Sequence, residues 1–320
     1  MELGLQIIPT MPAQEVIETA LLAEELGYNV CLIADEGFMP DVYVVAGAVA
    51  QRSSSLQVGV VTNGYTRHPA VTANALATLH DLSGGRAVAC LVAGGSMVLN
   101  PMAIPREAPL AVMTDTIAIL RALWSGEPAT YQGKRYSLDG AHLHGGPRDI
   151  PIWLAVRGEK MLALAATAAD GVVLMARSDL GPALERMESA APDRTASMRR
   201  AYLDRIAYTP EMLAEAGTLY TYALMDSPQR MLDGMGVTPD EIARIREAMA
   251  RGGPAEAGRL VRPEMIQRYQ IAGSPDECAV ALRETLQTHA LDLFIMNITS
   301  PGLAANRRLL EDVAAMARAG

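Results

Sequence analysis

The chain of 320 residues is 50% hydrophobic and 20% charged and carries a formal net charge of −9, a composition expected of a soluble globular protein with one large domain or two small ones. It has no block of clustered Lys and Arg, which excludes nucleic acid as an expected partner. No apolar run reaches the roughly 18 residues that span a bilayer, and Met1-Glu2-Leu3-Gly4 lacks the basic start and apolar core of a secretory leader.

In chain order, Leu3 to Ile8 is a strand candidate, Pro12 to Leu26 a helix stopped by Gly27, and Asn29 to Ala34 a second strand. A helix follows over Asp41 to Gln51, then a third strand over Leu56 to Val61, a helix from Pro69, and a fourth strand over Arg86 to Val92. These strands are continuously apolar rather than alternating, as parallel strands covered on both faces are. Four strand–helix units predict a parallel α/β fold, either a doubly wound sheet or a (β/α)8 barrel. The G-x-G-x-x-G of a dinucleotide-binding unit is missing after the first strand, where Pro9-Thr10-Met11-Pro12 stands. That favours the TIM barrel.

Met113 to Leu123 is a further helix, and Gly126 to Gly146 a small excursion with a hairpin at Tyr131 to Tyr136. The fifth strand is Pro151 to Val156, followed by a helix over Lys160 to Ala169. The sixth strand is Gly171 to Met175, and the last is Leu291 to Asn297, before a closing helix from Ala304 to Ala317. Between Ala176 and Ala290 no clean buried strand is found, and Leu219 to Met225 reads equally well as helix. The seventh strand is therefore expected to be degenerate or missing. The expected organisation is a single barrel domain over 1–320, with an insertion near 97–150 and a helical segment near 178–290.

The 18 methionines suggest a deformable core. Cys31, Cys90 and Cys278 lack metal-ligand spacing, and the first two lie in apolar strands. They read as buried reduced thiols, which predicts a cytoplasmic chain. His142 and His144 have no carboxylate or thiol at ligand spacing, so no metal is expected.

Ligands of a (β/α)8 barrel bind at the C-terminal ends of its strands. There the sequence offers Asp35-Glu36, the polar run Thr62 to His68, Gly94-Gly95-Ser96, Arg157-Gly158-Glu159-Lys160, and Met175-Ala176-Arg177. Gly158-Glu159-Lys160 opens a helix whose first N–H groups suit a phosphate, although a plain turn with solvated charges reads the same way. Asp35 or Glu36 is a candidate to accept a ring N–H or move a proton, or to cap a helix. His68, just before Pro69, is a candidate proton donor or an ordered cap.

The segment VTNGYTRHPAVTANALATLHDLSGGRAVACLVAGG, with ADEGFMPDVYV, LWSGEPATYQGKRY, PIWLAVRGEKMLALAATAADGVVL and IAGSPDECAVALRE, resembles the luciferase-like flavin- and deazaflavin-dependent oxidoreductases. The branch it is most similar to is that of methylenetetrahydromethanopterin reductase. The resemblance implies a TIM barrel binding coenzyme F420, a deazaflavin, or alternatively FMN. It implies a bulge with a non-prolyl cis peptide at Gly59-Val60 behind the central ring. Thr62 and Asn63 would contact the ring, Asp35 would lie at its edge, and Gly94, Gly95 and Ser96 would border it. The phosphate would lie on Gly158, Glu159, Lys160, Met175 and Ala176. Ser96 stands where the family often has an acid, and Gln6 where the deazaflavin branch often has one. Asp35, Glu36 and His68 are therefore the catalytic candidates.

The expected activity is hydride transfer between F420 and a small organic substrate. The alternatives are an FMN-dependent monooxygenase and a non-catalytic flavin-binding or structural partner protein. The acidic tail of F420 would need cations, for which Arg67, Arg157 and Arg177 are candidates. A homodimer is expected, with apolar helix faces such as Val42 to Val49 and Val71 to Leu82 available to form it.

Overall fold

The computed structural model describes residues 1–299 and 302–318. Eight parallel strands close into a barrel: β1 (Glu2–Ile7), β2 (Val30–Ala34), β3 (Gln57–Thr62), β4 (Ala87–Val92), β5 (Ile152–Ala155), β6 (Gly171–Leu174), β7 (Arg199–Asp204) and β8 (Leu293–Ile298). Each pairs with its sequence neighbours, and β8 returns to β1 in the register Glu2↔Leu293 through Ile7↔Ile298. The outer helices include α1 (Ala13–Glu25), α2 (Val42–Arg52), α3 (Pro69–Leu82), α4 (Pro109–Trp124), α5 (Glu159–Ala168), α6 (Leu180–Ala190), α7 (Pro275–Thr288) and α8 (Leu303–Arg318).

Local chemistry sets these boundaries. Asp41 caps α2 by accepting from the N–H groups of Tyr43 (3.0 Å) and Val44 (3.2 Å). Ser274 and Glu277 form a reciprocal capping box at α7, with Pro275 at its first position.

Alternate residues of each strand point inward. Val30, Leu32, Val88, Cys90, Trp153, Val173, Leu293 and Ile295 fill the barrel, while the opposite faces of the strands join the helices in the larger core. All three cysteines are buried. Burial pushes the thiols of Cys31 and Cys90 up to about 12, so they stay protonated and unreactive.

Two expectations are corrected. The seventh strand is neither degenerate nor missing: Arg199–Asp204 pairs with both β6 and β8, and Leu219 to Met225 lies in the helix Pro210–Met225. The bulge and cis peptide at Gly59-Val60 are also not found, since no described peptide bond is cis. β3 keeps unbroken register with β2 and β4 through Gly59 and Val60. Gly59 is needed for packing instead, because a Cβ there would lie 2.4 Å from Val88 Cγ1 and 2.6 Å from Val88 O.

Two additions decorate the barrel. The hairpin Ala129–Gln132 with Ser137–Ala141 follows α4. Its turn hangs on Asp115 of α4, which accepts from Tyr131 Oη (2.9 Å) and the N–H groups of Arg135 (2.6 Å) and Tyr136 (3.0 Å). A helical excursion over 208–270 follows β7 and has its own core of Tyr220, Leu224, Met231, Met235, Ile245 and Met265. That core is continuous with Ala176 on the barrel rim.

Candidate active site

The inward residues become more exposed toward the C-terminal ends of the strands. Leu32, Val88 and Ile295 are sealed, whereas Ile8, Val92 and Met175 are partly open above them. The result is an apolar floor, with Val61, Ala155 and Leu203 completing it, inside a polar rim. An apolar surface edged by hydrogen-bonding groups is the usual character of small-molecule sites.

On the β2–β3 side much of the polarity is used to brace the loops. Asn63 is buried, and its Oδ1 accepts from the N–H groups of Tyr65 (2.8 Å) and Thr66 (3.0 Å). Thr62 Oγ1 accepts from Tyr43 Oη (3.2 Å). Arg67 pairs with Asp41 and lies over the Tyr43 ring. Tyr136 of the hairpin donates to Gly64 O, fastening the hairpin to this wall. His68 Nδ1 accepts from Ala70 N–H (3.2 Å), and its ring stands edge-on to Tyr136 at 5.1 Å. His68 thus serves as the cap of α3.

The two carboxylates after β2 differ. Burial raises the pKa of Asp35, but Gly37 N–H (3.3 Å), Arg67 and Thr62 all favour its ionised form. Burial also raises Glu36, and the charge of Asp35 adds to the effect. No named interaction opposes it. Both carboxyls therefore favour the protonated form more than an exposed carboxyl does.

After β4, Gly94 takes φ +78°, and a Cβ there would approach Leu99 Cδ1 to 2.9 Å. Gly95 and Ser96 are exposed and open the four-residue helix Ser96–Leu99.

After β5, Gly158 is the N-cap of α5 without a side-chain cap, and nothing lies within 4 Å of where its Cβ would be. Glu159 leans toward Arg186 (3.2 Å), and Lys160 is exposed. After β6, Ala176 is held at φ +64° in a fully buried turn, a left-handed conformation that costs a non-glycine residue about 1–3 kcal/mol. The charge of Arg177 acts on Cys278 of α7 and on His289 just after it.

The sequence reading missed the groups the excursion brings to this rim. Arg230 forms a two-point ion pair with Asp179, at 2.6 and 2.5 Å, and donates to Arg157 O at 2.9 Å. Its Nη1 and the nearby Ser178 Oγ are buried without a partner. Arg157 reaches Ala223 O at 3.4 Å. No local motif marks this cluster, because Asp179 and Arg230 are 51 residues apart.

A depression of about 260 Å³ at the opposite end of the barrel is lined by Glu2, Asn29, Gln57, Asp170 and Arg199. Its charges are paired, Glu2 with Arg199 and Asp170 with Arg121, and that end of such barrels serves stability.

These features define a (β/α)8 barrel whose C-terminal rim carries an open helix N-terminus on one side and a raised-pKa carboxylate on another. Residues 2–292 match the family model for luciferase-like monooxygenase. The chain belongs to that family. It is 30% identical over 296 residues to a 5,10-methylenetetrahydromethanopterin reductase of Methanolobus tindarius, covering 89% of this chain and 91% of that protein. Among solved structures it superposes on a coenzyme F420-dependent tetrahydromethanopterin reductase of Methanopyrus kandleri with a TM-score of 0.87, at 23% identity, covering 98% and 97% of the two chains. An F420-dependent secondary alcohol dehydrogenase, solved with an F420–acetone adduct, gives a TM-score of 0.78 at 19% identity, covering 99% of each chain.

Proposed function

We propose that this protein is an oxidoreductase that binds coenzyme F420 and transfers a hydride between it and a small organic substrate. The observation that carries this reading is the cluster beside the uncapped N-terminus of α5, where Ser178 Oγ and Arg230 Nη1 are buried without partners. Buried polar atoms of this kind are normally satisfied, and this set suits a phosphate. The named activities of the relatives point the same way.

Bound reduced deazaflavin would supply the hydride. In this reading the backbone N–H groups of Glu159 and Lys160 receive its phosphate, with Ser178 and Arg230 beside them. The apolar floor of Val61, Ala155 and Leu203 supports the ring system and keeps water from it. Thr62 and Asn63 make the wall at the ring edge, and Gly94 keeps the turn after β4 out of the way. Glu36 is the candidate to give the proton that a carbonyl oxygen takes up when hydride reaches its carbon. The rim holds donor and acceptor carbons in near-attack geometry.

The test is titration of purified protein with F420, F420H2, FMN and FMNH2, read by absorbance and fluorescence. F420 binding that weakens in Arg230→Met supports the proposal. FMN binding without F420 binding favours the reduced-flavin monooxygenase instead, and binding of neither favours a non-catalytic role.

We further propose a homodimer through α2 and α3, whose outer faces expose Val44, Val71 and Leu82. Light scattering on Val44→Glu reads this directly: a monomer is expected, and an unchanged mass rejects it. No described helix is long and apolar enough to cross a membrane.

A further inference from the structure

The proposed cofactor site draws its polar groups from the rim of β2 to β6, takes only the apolar Leu203 from β7, and leaves the polar groups of β7, β8 and β1 unused. This arc carries polar groups in a barrel whose deeper interior is apolar. Leu293 and Ile295 point inward on β8, so Asn297 points inward one layer higher. Ala201 and Leu203 do the same on β7, and Arg205 continues that face just past the strand end. The β7–β8 register ends at Asp204↔Met296, and Arg205 and Asn297 are the next residues along each. Gln6, 8% exposed, is Asn297's partner on β1.

Two of these residues carry an unanswered atom. Asn297 Oδ1 and Arg205 Nη1 are each buried and have no hydrogen-bond partner. The Arg205 guanidinium is steadied from the other side by the Tyr220 ring, 5.8 Å from its centroid. One atom is an acceptor lacking a donor and the other a donor lacking an acceptor, at the C-terminal ends of adjacent strands. Leaving both buried is unfavourable unless something arrives to pair with them.

We propose that Asn297 and Arg205, with Gln6 beside them, form a recognition edge for a substrate bearing an adjacent N–H and C=O, as in a lactam, a cyclic ureide or a carboxamide. The ligand N–H donates to Asn297 Oδ1, and its carbonyl oxygen accepts from Arg205 Nη1. The edge names a substrate class for the redox site proposed above and rests on that reading for its role in turnover. Its binding chemistry can be read without the cofactor.

The experiment uses the full-length protein and three fragments: dihydrouracil, a cyclic ureide; cyclohexanone, a carbonyl without an N–H; and benzoate, an anion. Ligand-observed NMR gives each Kd for the wild type and for Asn297→Leu, Asn297→Asp and Arg205→Met, with urea midpoints confirming folding. Dihydrouracil is expected to bind the wild type best, to weaken about tenfold in Asn297→Leu and in Arg205→Met, and to be retained in Asn297→Asp, which keeps the acceptor. Cyclohexanone is expected to bind all four proteins alike. Dihydrouracil that binds no better than cyclohexanone, or equally well to Asn297→Leu, overturns the proposal. So does preferential binding of benzoate, which makes the edge an anion site. F420 fluorescence titration of the same proteins separates the two readings. Loss of F420 binding in the wild type condemns the cofactor assignment alone, and fragment failure with intact F420 binding condemns the edge alone.

Discussion

Asp204 ends β7 with its carboxylate fully enclosed. Oδ1 accepts from Arg205 N–H (2.7 Å) and Tyr220 Oη (3.0 Å), and Oδ2 from Ile271 N–H (3.0 Å) and Tyr202 Oη. Tyr220 and Ile271 belong to the excursion and its return, so this carboxyl pins the excursion to the barrel. Burial outweighs the four donors and raises its pKa from 3.8 to about 7. The folded chain therefore holds this proton more tightly than the unfolded chain does. The stability contributed by the protonated carboxyl is complete below the unfolded value and is lost as pH rises through the folded one. Between pH 3.8 and about 7 the loss amounts to about 4 kcal/mol.

Asp204→Asn cannot titrate. Its amide turns a donor toward Ile271 N–H, and a buried N–H without an acceptor costs about 1–3 kcal/mol. The variant is therefore less stable than the wild type at pH 5, and the gap closes or reverses by pH 8 as the wild type alone loses its proton. Urea unfolding at the two pH values, with midpoints and slopes compared, measures this directly. Midpoints that shift in parallel would refute the reasoning, since they would mean that the four donors hold Asp204 ionised throughout.

Gly158→Ala places a methyl where nothing now lies within 4 Å; the fold is expected to survive while F420 affinity falls about tenfold, because the methyl meets the phosphate, and equal titration curves count against the phosphate site. Glu36→Gln, which removes a carboxyl whose pKa burial and Asp35 raise, should lower kcat by about 10²-fold or more, flatten the pH profile of kcat and leave the F420 Kd alone. Glu24 is also raised by burial, but the N–H groups of Ser55, Ser54 and Leu56 and the Ser55 hydroxyl win and bring it from 4.5 to about 2. Its contribution is present above pH 4.5 and lost as pH falls through 2, so Glu24→Gln should cost about 1–2 kcal/mol at pH 7 after discounting for solvent screening, and the acid-unfolding curves of the two proteins should converge near pH 2. Asp115→Ala removes all three bonds at the hairpin turn; hydrogen exchange at Arg135 and Tyr136 should rise sharply and that in β3 should not.

Seven of the eight strands are legible in the sequence because they are apolar throughout, as strands covered on both faces must be. β7 is hidden because its ends are polar. Arg199 pairs with Glu2, Arg200 with Glu188 at 3.2 Å, and Asp204 with two tyrosines. Arg199 is answered 197 residues away and Asp204 is also held by Ile271, 67 residues away, so the run Arg199–Asp204 carries little local sign of burial. The Leu219 to Met225 segment misleads for the opposite reason. Its apolar residues serve the excursion's own core, so they resemble a strand while packing as a helix.

The rim separates in the same way. Thr62 to His68 announces itself as polar, yet Asn63, Arg67 and His68 engage partners at most 26 residues away, and those bonds shape the wall. Polar atoms remain unanswered after the chain has closed at Ser178, Arg230, Arg205 and Asn297, and within the run itself at Thr66 Oγ1. An isolated Ser or Asn looks the same in sequence whether its atoms are paired or free. Only when Arg230 is carried across the rim to Asp179, and β8 is laid beside β7, does one atom of each group prove to be left over. The residues that advertise polarity brace the rim, and the proposed function assigns the ligand to atoms that the fold leaves unpaired, those of Ser178 and Arg230.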